Sequence, residues 1–437
     1  MTSEAQKQKN ANIRRAGKAT REKRKTQRCR VFEVKVTKGK LSHEKEEHIR
    51  RLFLEGKWLW NHTLAGDDVF AADICPKSVT VKTPDGLEER PLIALGSQMK
   101  QDIVESVKTA IKGLAAKKAK GEKVGRVRFR KFCDSIPLRQ YGVTYRIDFD
   151  KNTITMQGLK KPIKVKGLSQ IPPGADIANA RLVRKPSGLY FHITVYTEAE
   201  DRKPTHAAGA CDFGIKKNFT LDDGREASIN VPESKKLKRD QKRMNRLCAK
   251  NGKTKNHRKR VARVRRDYEK IENQKSDEAN KLVHMIKEEY DVFAIQDEMI
   301  KSWHSGMFGR SVQHSAMGKV KAKLKDSPRT IVVPRSFPST QRCPICGKDT
   351  KHPLSKRDYD CAFCGYHHNS RDQKSASMIL MEALKQNVCV DPHSKESCVG
   401  HGHWRNICYS NCPGKLSPVG GCNIPPGKQE AHGFSLG

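Results

Sequence analysis

Two closely spaced pairs of cysteines constrain the fold of this 437-residue chain more than any other feature of its sequence. Each pair has two residues between its members and a glycine directly after it: Cys343 with Cys346, and Cys361 with Cys364. Four thiolates at this spacing can surround one Zn²⁺ tetrahedrally, and a glycine permits the tight turn that directs backbone N–H groups at sulfur. We therefore expect a structural zinc site, because four sulfur ligands leave no open position for a reaction.

A second group of ligand-type residues lies near the end of the chain, with irregular spacing: Cys398, His401, His403, Cys408 and Cys412. The surrounding residues 389–437 are rich in Gly, Pro, Cys and His and lack periodicity, so we expect a disordered tail. Metal binding by this group stays open. The chain starts without a secretory signal peptide, which predicts a cytoplasmic protein. Thiols stay reduced in that compartment, and this favours metal binding over disulfides or redox pairing for close cysteine pairs.

The chain carries a large excess of positive charge. Lys and Arg number 87 against 48 Asp and Glu, which gives a formal net charge of +39. Such a chain repels itself unless a polyanion neutralises it, and each neutralised nucleic-acid phosphate releases condensed counterions. Nucleic acid is therefore the expected partner, with a ribosomal-type or simply soluble basic protein as the alternative. No apolar run approaches the roughly 18–20 residues of a membrane-spanning helix.

The densest basic load falls between residues 235 and 266, in two predicted helices that break near Asn251, and Asp240 is the lone acid there. A solvated helical hairpin is the alternative, but such hairpins usually mix the signs of their charges. A single-sign face predicts phosphate contact by four residues: Arg258, Lys259, Arg263 and Arg266. The polar and basic residues 1–29 are expected to be a disordered arm that orders on a phosphate backbone.

Apolar periodicity predicts a multidomain α+β protein. Alternating apolar and polar residues at 30–37, and strand-like runs from 138 to 198, indicate one β-barrel-like domain. Helical periodicity follows the expected N-cap residue Ser42 and returns at 92–116, which predicts a helical insertion in that domain. After a polar linker at 199–207, short buried strands alternate with helices.

Three acids in this second part lie on ordered elements. Asp212 is within a short apolar strand, Glu298 closes a later one, and Asp372 precedes a helix. A buried strand rarely holds a carboxylate unless it is paired or binds metal. If the three converge, their oxygens suit two Mg²⁺ ions about 3.5–4 Å apart, a pair that hydrolyses phosphodiesters. Each acid alone is equally compatible with an end cap or a salt bridge.

Three segments of the chain resemble the TnpB transposon-encoded nucleases and the type V CRISPR effectors. Residues 209–218, GACDFGIKKN, resemble their first RuvC motif, and residues 339–347, STQRCPICG, look like the entrance to their zinc ribbon. Residues 371–376, RDQKSA, are similar to their third motif. The resemblance covers roughly residues 30–385, and its short motifs stand in the family's order.

The resemblance implies a β-barrel wedge-like domain with a helical recognition insertion, followed by an RNase H-like RuvC α/β domain with an inserted zinc ribbon. The implied boundaries are residues 30–43 and 126–200 for the barrel, 44–125 for the insertion, 207–340 and 367–388 for the RuvC domain, and 341–366 for the ribbon.

The same resemblance implies an RNA-guided DNA endonuclease of a prokaryotic, nucleoid-associated kind. A guide RNA would pair with one strand of double-stranded DNA beside a short flanking motif. A site of Asp212, Glu298 and Asp372 with Mg²⁺ would then cut. Two alternatives stay open: an RNA-guided DNA-binding protein with weak or no cleavage, and a protein-only transposon-associated enzyme that reads DNA directly.

The chain departs from the family pattern at three positions. Relatives often have Glu where Gln296 stands, a second Asp where Ser370 stands, and Asn where Lys374 stands. We choose Glu298 as the second acid because it lies two residues beyond Gln296, hence on the same strand face, while Asp297 points away. These departures keep the non-cutting alternative open.

Overall fold

The computed structural model describes residues 4–198, 204–251, 254–353 and 355–388, and the chain divides into two compact units, residues 1–202 and 203–437. The helices and strands of the first unit are α1 (Glu4–Thr26), β1 (Gln27–Val36), α2 (His43–Ala65), β2 (Ser78–Thr83), β3 (Gly86–Pro91), α3 (Ser97–Ala119), β4 (Ser135–Leu138), β5 (Tyr145–Asp148), β6 (Thr153–Met156), β7 (Ile163–Lys166), β8 (Asp176–Lys185) and β9 (Gly188–Glu198). Those of the second unit are β10 (Ala208–Phe213), β11 (Phe219–Leu221), β12 (Glu226–Ala227), α4 (Lys235–Asn251), α5 (Lys255–Glu289), β13 (Val292–Gln296), α6 (Gly309–His314), α7 (Met317–Lys325), β14 (Thr330–Val333), β15 (Tyr359–Asp360), β16 (His367–His368) and α8 (Arg371–Val388).

The first unit is built on a seven-stranded antiparallel sheet in the order β4-β8-β9-β1-β7-β6-β5. Its edge strands β4 and β5 follow one another in the chain, and the sheet curls into a nearly closed barrel. The predicted alternation in β1 is confirmed, since Val34 and Val36 are buried in the barrel core. The barrel-like domain is therefore confirmed, and it gains two strands, β4 and β7, that the periodicity did not predict.

The helical insertion follows β1 and consists of α2, the β2–β3 hairpin and α3. Ser42 caps α2 as predicted, because its hydroxyl accepts the backbone N–H of Lys45. The helix predicted from residue 92 starts only at Ser97. The preceding residues are extended because the buried Glu55 carboxylate accepts their backbone N–H groups at 2.9–3.0 Å, from Ile93, Ala94 and Leu95.

The N-terminal segment is a helix and not the disordered arm that its polarity predicted for residues 1–29. Residues 4–26 form α1, because they consist mainly of good helix formers and contain no proline, with Gly17 as the lone glycine. The end of α1 is fixed to the barrel, where the Arg24 guanidinium lies 4.3 Å from the centre of the Tyr196 ring. The side chains along most of α1 are exposed.

The second unit contains a five-stranded sheet in the order β12-β11-β10-β13-β14. Strands β10, β13 and β14 are parallel, whereas β11 runs antiparallel to β10. Helix α8 packs on one face, through Ile379 and Ala383, and α5 and α7 pack on the other. The structure is thus a mixed α+β protein, with the strands predicted around Asp212 and before Asp297 in place.

The predicted tail at residues 389–437, with its group of cysteines and histidines, lies outside the described residues. Among the residues that the structure does describe, no helix combines the length and the apolar character of a membrane-spanning segment.

Candidate metal and nucleic-acid sites

The register of the parallel strands sets the geometry of the acid site. Cys211 of β10 pairs with Ile295 of β13, so the next residues, Asp212 and Gln296, lie side by side near the carboxyl ends of their strands. Gln296 in turn pairs with Val333 of β14. The carboxyl ends of parallel strands meet at one edge of a sheet, where ligand sites of open α/β sheets lie.

Asp212, Glu298 and Asp372 line one cleft of about 730 Å³ at this edge. They come from β10, from the residues just after β13 and from the first turn of α8. The three acids therefore share one cleft, and their role as metal ligands stays a prediction. The cleft is also lined by the basic side chains Arg335 and Arg357.

The three acids repel one another in this cleft. Burial, followed by the negative charges of Asp372 and Glu298, raises the pKa of Asp212 to about 7. Burial also raises the pKa of Glu298, although Lys321 and Arg335 oppose the rise. Three carboxylic acids in one cleft, one of them with a raised pKa, suit a hard divalent cation such as Mg²⁺, although basic side chains also line the cleft.

The two neighbouring acids after β13 have separate environments. Asp297 lies 2.7 Å from the ammonium nitrogen of Lys321 and 3.5 Å from that of Lys325. Its hydrogen bond with Lys321 lowers its pKa. Glu298 lines the cleft, and Asp297 does not line it. The choice of Glu298 over Asp297 therefore agrees with the positions of both side chains, but the reason given for it was wrong, because β13 ends at Gln296 and Glu298 lies beyond the strand.

Gln296 occupies the position where relatives often have the second acid, and its amide is used by the protein itself. The amide nitrogen donates to the carbonyls of Phe337, at 2.6 Å, and Pro334, at 3.2 Å. The amide oxygen accepts the Ser339 hydroxyl at 2.8 Å. The Ser375 hydroxyl lies 2.9 Å from that of Ser339 and also hydrogen-bonds to Asp212.

Lys374 has a structural role that the sequence did not reveal. Its side chain is buried, and its ammonium group donates to the carbonyls of Ser339, Thr340 and Arg342 at 2.9–3.0 Å. It also lies 3.8 Å from the centre of the Tyr359 ring. Helix α8 is thereby tied to the segment that leads into the first cysteine pair. The sequence signal is a lysine near the start of α8, at a position where relatives often have Asn.

The four predicted cysteines form one cluster, in which all the sulfur atoms lie within 4.8 Å of one another. The closest sulfur pairs are Cys343 with Cys364 at 3.6 Å and Cys346 with Cys361 at 3.5 Å. Zinc–sulfur bonds of about 2.3 Å in a tetrahedron require sulfur separations of about 3.8 Å. The cluster is therefore compatible with one structural Zn²⁺.

Both cysteine pairs are followed by the predicted tight turn. Gly347 and Gly365 have φ of 70° and 71°, a left-handed conformation that favours glycine. Each glycine N–H bonds to the carbonyl of the first cysteine of its pair at 3.1 Å. The backbone N–H of Ile345 points at the Cys343 sulfur, 3.4 Å away. The two turns thus have the same construction, as expected of paired zinc knuckles.

The basic hairpin is formed by α4 and α5, with the predicted break between them. The buried carboxylate of Asp240 on α4 binds Arg260 on α5 at 2.8 Å, so the lone acid serves to join the helices. The four residues predicted to contact phosphate are exposed, and none of them forms an ion pair with another described residue: Arg258, Lys259, Arg263 and Arg266. Their charge is therefore free for an outside partner.

We predict that replacing Cys343 and Cys361 with Ser removes about one Zn²⁺ per chain and destabilises the region around β15 and β16, because ligation energy is folding energy in such sites. Elemental analysis of the purified protein measures the metal. The matched control replaces Cys29 and Cys248, two free cysteines outside the cluster, and should retain full zinc. Full zinc in the Cys343/Cys361 variant would contradict the assignment.

We predict that metal-free Asp212→Asn is more stable than the wild type at pH 8, by more than about 1 kcal/mol. Folding raises the pKa of Asp212 from 3.8 to about 7, so the ionised carboxylate opposes folding increasingly between these pH values and fully above them. The difference shrinks as the pH falls and vanishes below the lower value, where the carboxyl is protonated in the folded and the unfolded protein. Added Mg²⁺ should stabilise the wild type and leave the variant nearly unchanged. Thermal unfolding at pH 4 and pH 8, with chelator or Mg²⁺, measures this.

The control for this prediction is Asp297→Asn, which should have the opposite sign. The pKa of Asp297 is lowered by Lys321, so its charge favours folding at pH 8 and its loss destabilises. If metal-free Asp212→Asn is also less stable than the wild type at pH 8, the charge of Asp212 does not destabilise the folded protein. The interpretation of the cleft as a cation site then fails.

Two family models match the chain. The model OrfB_IS605, described as a probable transposase, matches residues 190–301, and the model of the Cas12f1-like TNB domain matches residues 316–379. The first range contains Asp212 and Glu298, and the second contains the four cysteines and Asp372. A comparison with curated proteins finds no match. The sequence-based resemblance is thereby confirmed: this chain is similar, over these two ranges, to the TnpB-like and type V Cas12f-like nucleases.

Proposed function

We propose that this protein is an RNA-guided DNA endonuclease whose guide RNA pairs with one strand of a double-stranded target beside a short flanking motif. The observation that carries the proposal is the convergence of Asp212, Glu298 and Asp372 in one cleft. The matched families are of the TnpB and Cas12 nuclease class, which supports the same activity.

The layout of the second unit supports an RNase H-like, RuvC-type catalytic domain. Strand β10, which carries Asp212, is central in the sheet, and β13 lies parallel beside it and ends near Glu298. Helix α8 begins with Asp372 and packs across β10 and β13. The acids therefore come from three separate elements in chain order, with the zinc ribbon between the second and the third.

The carboxylates of Asp212, Glu298 and Asp372 would hold Mg²⁺ in this site. Two such ions activate a water molecule and stabilise the leaving oxygen of a phosphodiester. The chain's own side chains complete the cleft: Arg335 and Arg357 supply positive charge beside the acids, so they would bind the DNA phosphates on either side of the cut. The Arg357 guanidinium lies 3.6 Å from Asp372 and also restrains that carboxylate.

The basic hairpin supports the nucleic-acid part of the proposal. Its free cations lie on α5, within the range that matches the probable transposase family. Base pairing with the guide supplies sequence specificity, so the protein needs to hold phosphates and the shape of the duplex. A net charge of +39 suits a chain that holds both an RNA and a DNA.

A second function, RNA-guided binding without cleavage, is favoured by one observation. Gln296 stands where relatives often have the second acid, and its amide is hydrogen-bonded to Pro334, Phe337 and Ser339. A neutral amide held in this way offers no charge to a cation. The cleavage experiment below decides between the two functions.

We predict that Asp212→Ala and Asp372→Ala abolish cleavage and leave RNA-guided DNA binding nearly unchanged, because binding depends on base pairing and backbone contacts elsewhere. The RNA that copurifies with the protein is sequenced, and matching DNA targets with randomised flanks are incubated with Mg²⁺. Glu298→Ala should also be inactive. Asp297→Ala, which removes the neighbouring acid outside the cleft, should retain activity and serves as the matched control.

The other outcomes are equally decisive. If Asp297→Ala is inactive and Glu298→Ala cuts, the second acid is one residue away from the one chosen here. If the wild type cuts no guided target with Mg²⁺ or Mn²⁺, the binding function replaces the nuclease. Cutting that survives removal of all RNA would establish a protein-only enzyme.

We predict that replacing Arg258, Lys259, Arg263 and Arg266 with Ala reduces the slope of log affinity for RNA against log salt by about 3 units at most, since each lost contact with a single-strand phosphate removes about 0.7. Binding titrations at several salt concentrations measure the slope. The control replaces Arg50, Lys151 and Lys281, exposed cations that already pair with acids on the protein. A slope that is equal in the hairpin variant and the wild type would show that this face does not contact phosphate.

A further inference from the structure

A segment of the first unit combines exposed aromatic rings with unpaired cations. Residues 122–130, between α3 and β4, belong to no helix and no sheet. Phe129 is 63% exposed and Phe132, just beyond, is 72% exposed. Arg126, Arg128 and Lys131 alternate with these rings and are also exposed. None of these three cations forms an ion pair within the described part of the chain.

The exposure of the rings is not due to a loose backbone. The Asn61 side chain on α2 binds both backbone groups of Arg130, accepting its N–H at 2.7 Å and donating to its carbonyl at 3.0 Å. The Trp60 indole N–H donates to the carbonyl of Arg128. The Arg130 guanidinium also lies 3.2 Å from the centre of the Trp60 ring. Helix α2 therefore fixes the segment, and the two phenylalanines stand beside a pre-organised backbone.

Scattered exposed apolar side chains are normal, and Phe149, 43% exposed in the same unit, is one. Phe129 and Phe132 differ because they are only three residues apart, with backbones at most about 10 Å from each other, and have free cations around them. Phenylalanine rings gain free energy when they are buried, so two exposed rings on a fixed backbone are available to a partner.

Phe129 also forms part of the wall of a cleft of about 740 Å³ in the first unit. The ring of Trp58 lines this cleft, together with basic and acidic side chains: Lys57, His62, Lys82, Asp68 and Asp73. The aromatic walls of this cleft are suited to an unstacked nucleobase, and the phosphate contacts come from the cations beside Phe129 and Phe132.

We propose that Phe129 and Phe132, with Arg126, Arg128 and Lys131, form a binding strip for unpaired RNA. The phenyl rings stack on bases of a short single-stranded run, and the three cations contact its phosphates. RNA is favoured over DNA because the backbone groups of residues 124–127 have no hydrogen-bond partner among the described residues. Their carbonyls can accept a ribose 2′-hydroxyl, a donor that DNA lacks. The inference rests on the RNA-binding half of the proposed function and is independent of cleavage.

The test uses the full-length protein after removal of bound RNA, with uridine oligomers of about 20 nucleotides as ribose and deoxyribose versions. Changing Phe129 and Phe132 together to Ala should weaken RNA binding by at least about 30-fold, with an unchanged salt slope, because stacking is worth about 1–3 kcal/mol per base and two stacking rings are lost. Changing both to Trp should restore binding, since a larger ring stacks at least as well. Phe149→Ala is the matched control and should bind like the wild type.

Three results would overturn the proposal. The first is wild-type RNA affinity in the double Ala variant. The second is an equal loss in Phe149→Ala, which would make the effect unspecific. The third is a loss that is larger for the deoxyribose oligomer, which would assign the strip to DNA. Failure of the proposed function would give a different result, because the wild-type protein would carry no defined RNA. The Trp variant distinguishes a loss of stacking from a folding defect in the Ala variant, because the proposal requires that the Trp variant bind RNA.

Discussion

The parallel pairing of β10 with β13 is the constraint on which the candidate site depends. It places the end of an Asp-bearing strand beside Gln296, and the chain then continues to Glu298 within the same cleft. Helix α8 must pack on this pair of strands to bury Ile379 and Ala383, and that packing carries Asp372 to the other two acids. The apolar core thus assembles three carboxylates that repel one another, with a raised pKa at Asp212 as the electrostatic consequence.

Buried polar groups connect this site to the cysteine cluster. Gln296 from β13 and Lys374 from α8 both bind the segment between β14 and Cys343, one through Phe337 and the other through Ser339 and Arg342. Unpaired buried amide or ammonium groups are costly, so these bonds hold the segment in one conformation. Because the segment leads directly into the first zinc knuckle, the zinc site and the acid cleft share a structural support.

Much of this arrangement was predictable from local signals. The four cysteines, the strand around Asp212, the strand before Asp297 and the break in the basic hairpin each have a signature within a few residues, and all are in place. The remainder depends on distant partners. The roles of Lys374 and Glu55 come from carbonyl and N–H groups that lie far from them in sequence, and no periodicity indicates such contacts.

The prediction of a disordered arm at the N-terminus was wrong because charge was given more weight than helix propensity. The polar residues of this segment bury little, so composition indicated disorder, but the same residues favour helix, and Arg24 fixes the end of α1 on Tyr196. The catalytic roles of Asp212, Glu298 and Asp372 remain predictions, because convergence shows that the acids can act together and does not show that they act.

Gln296 and Glu298 are best understood together. The segment from Pro334 to Phe337 offers two carbonyls and the neighbouring Ser339 offers a hydroxyl, so the side chain that binds all three must both donate and accept. Glutamine does this, whereas an ionised glutamate has no hydrogen to donate. The second acid of the cleft, Glu298, therefore lies beyond the end of β13. There Lys321 binds the backbone carbonyl of Glu298 and pairs with the carboxylate of Asp297. Of these two neighbouring acids, Glu298 is the one that lines the cleft.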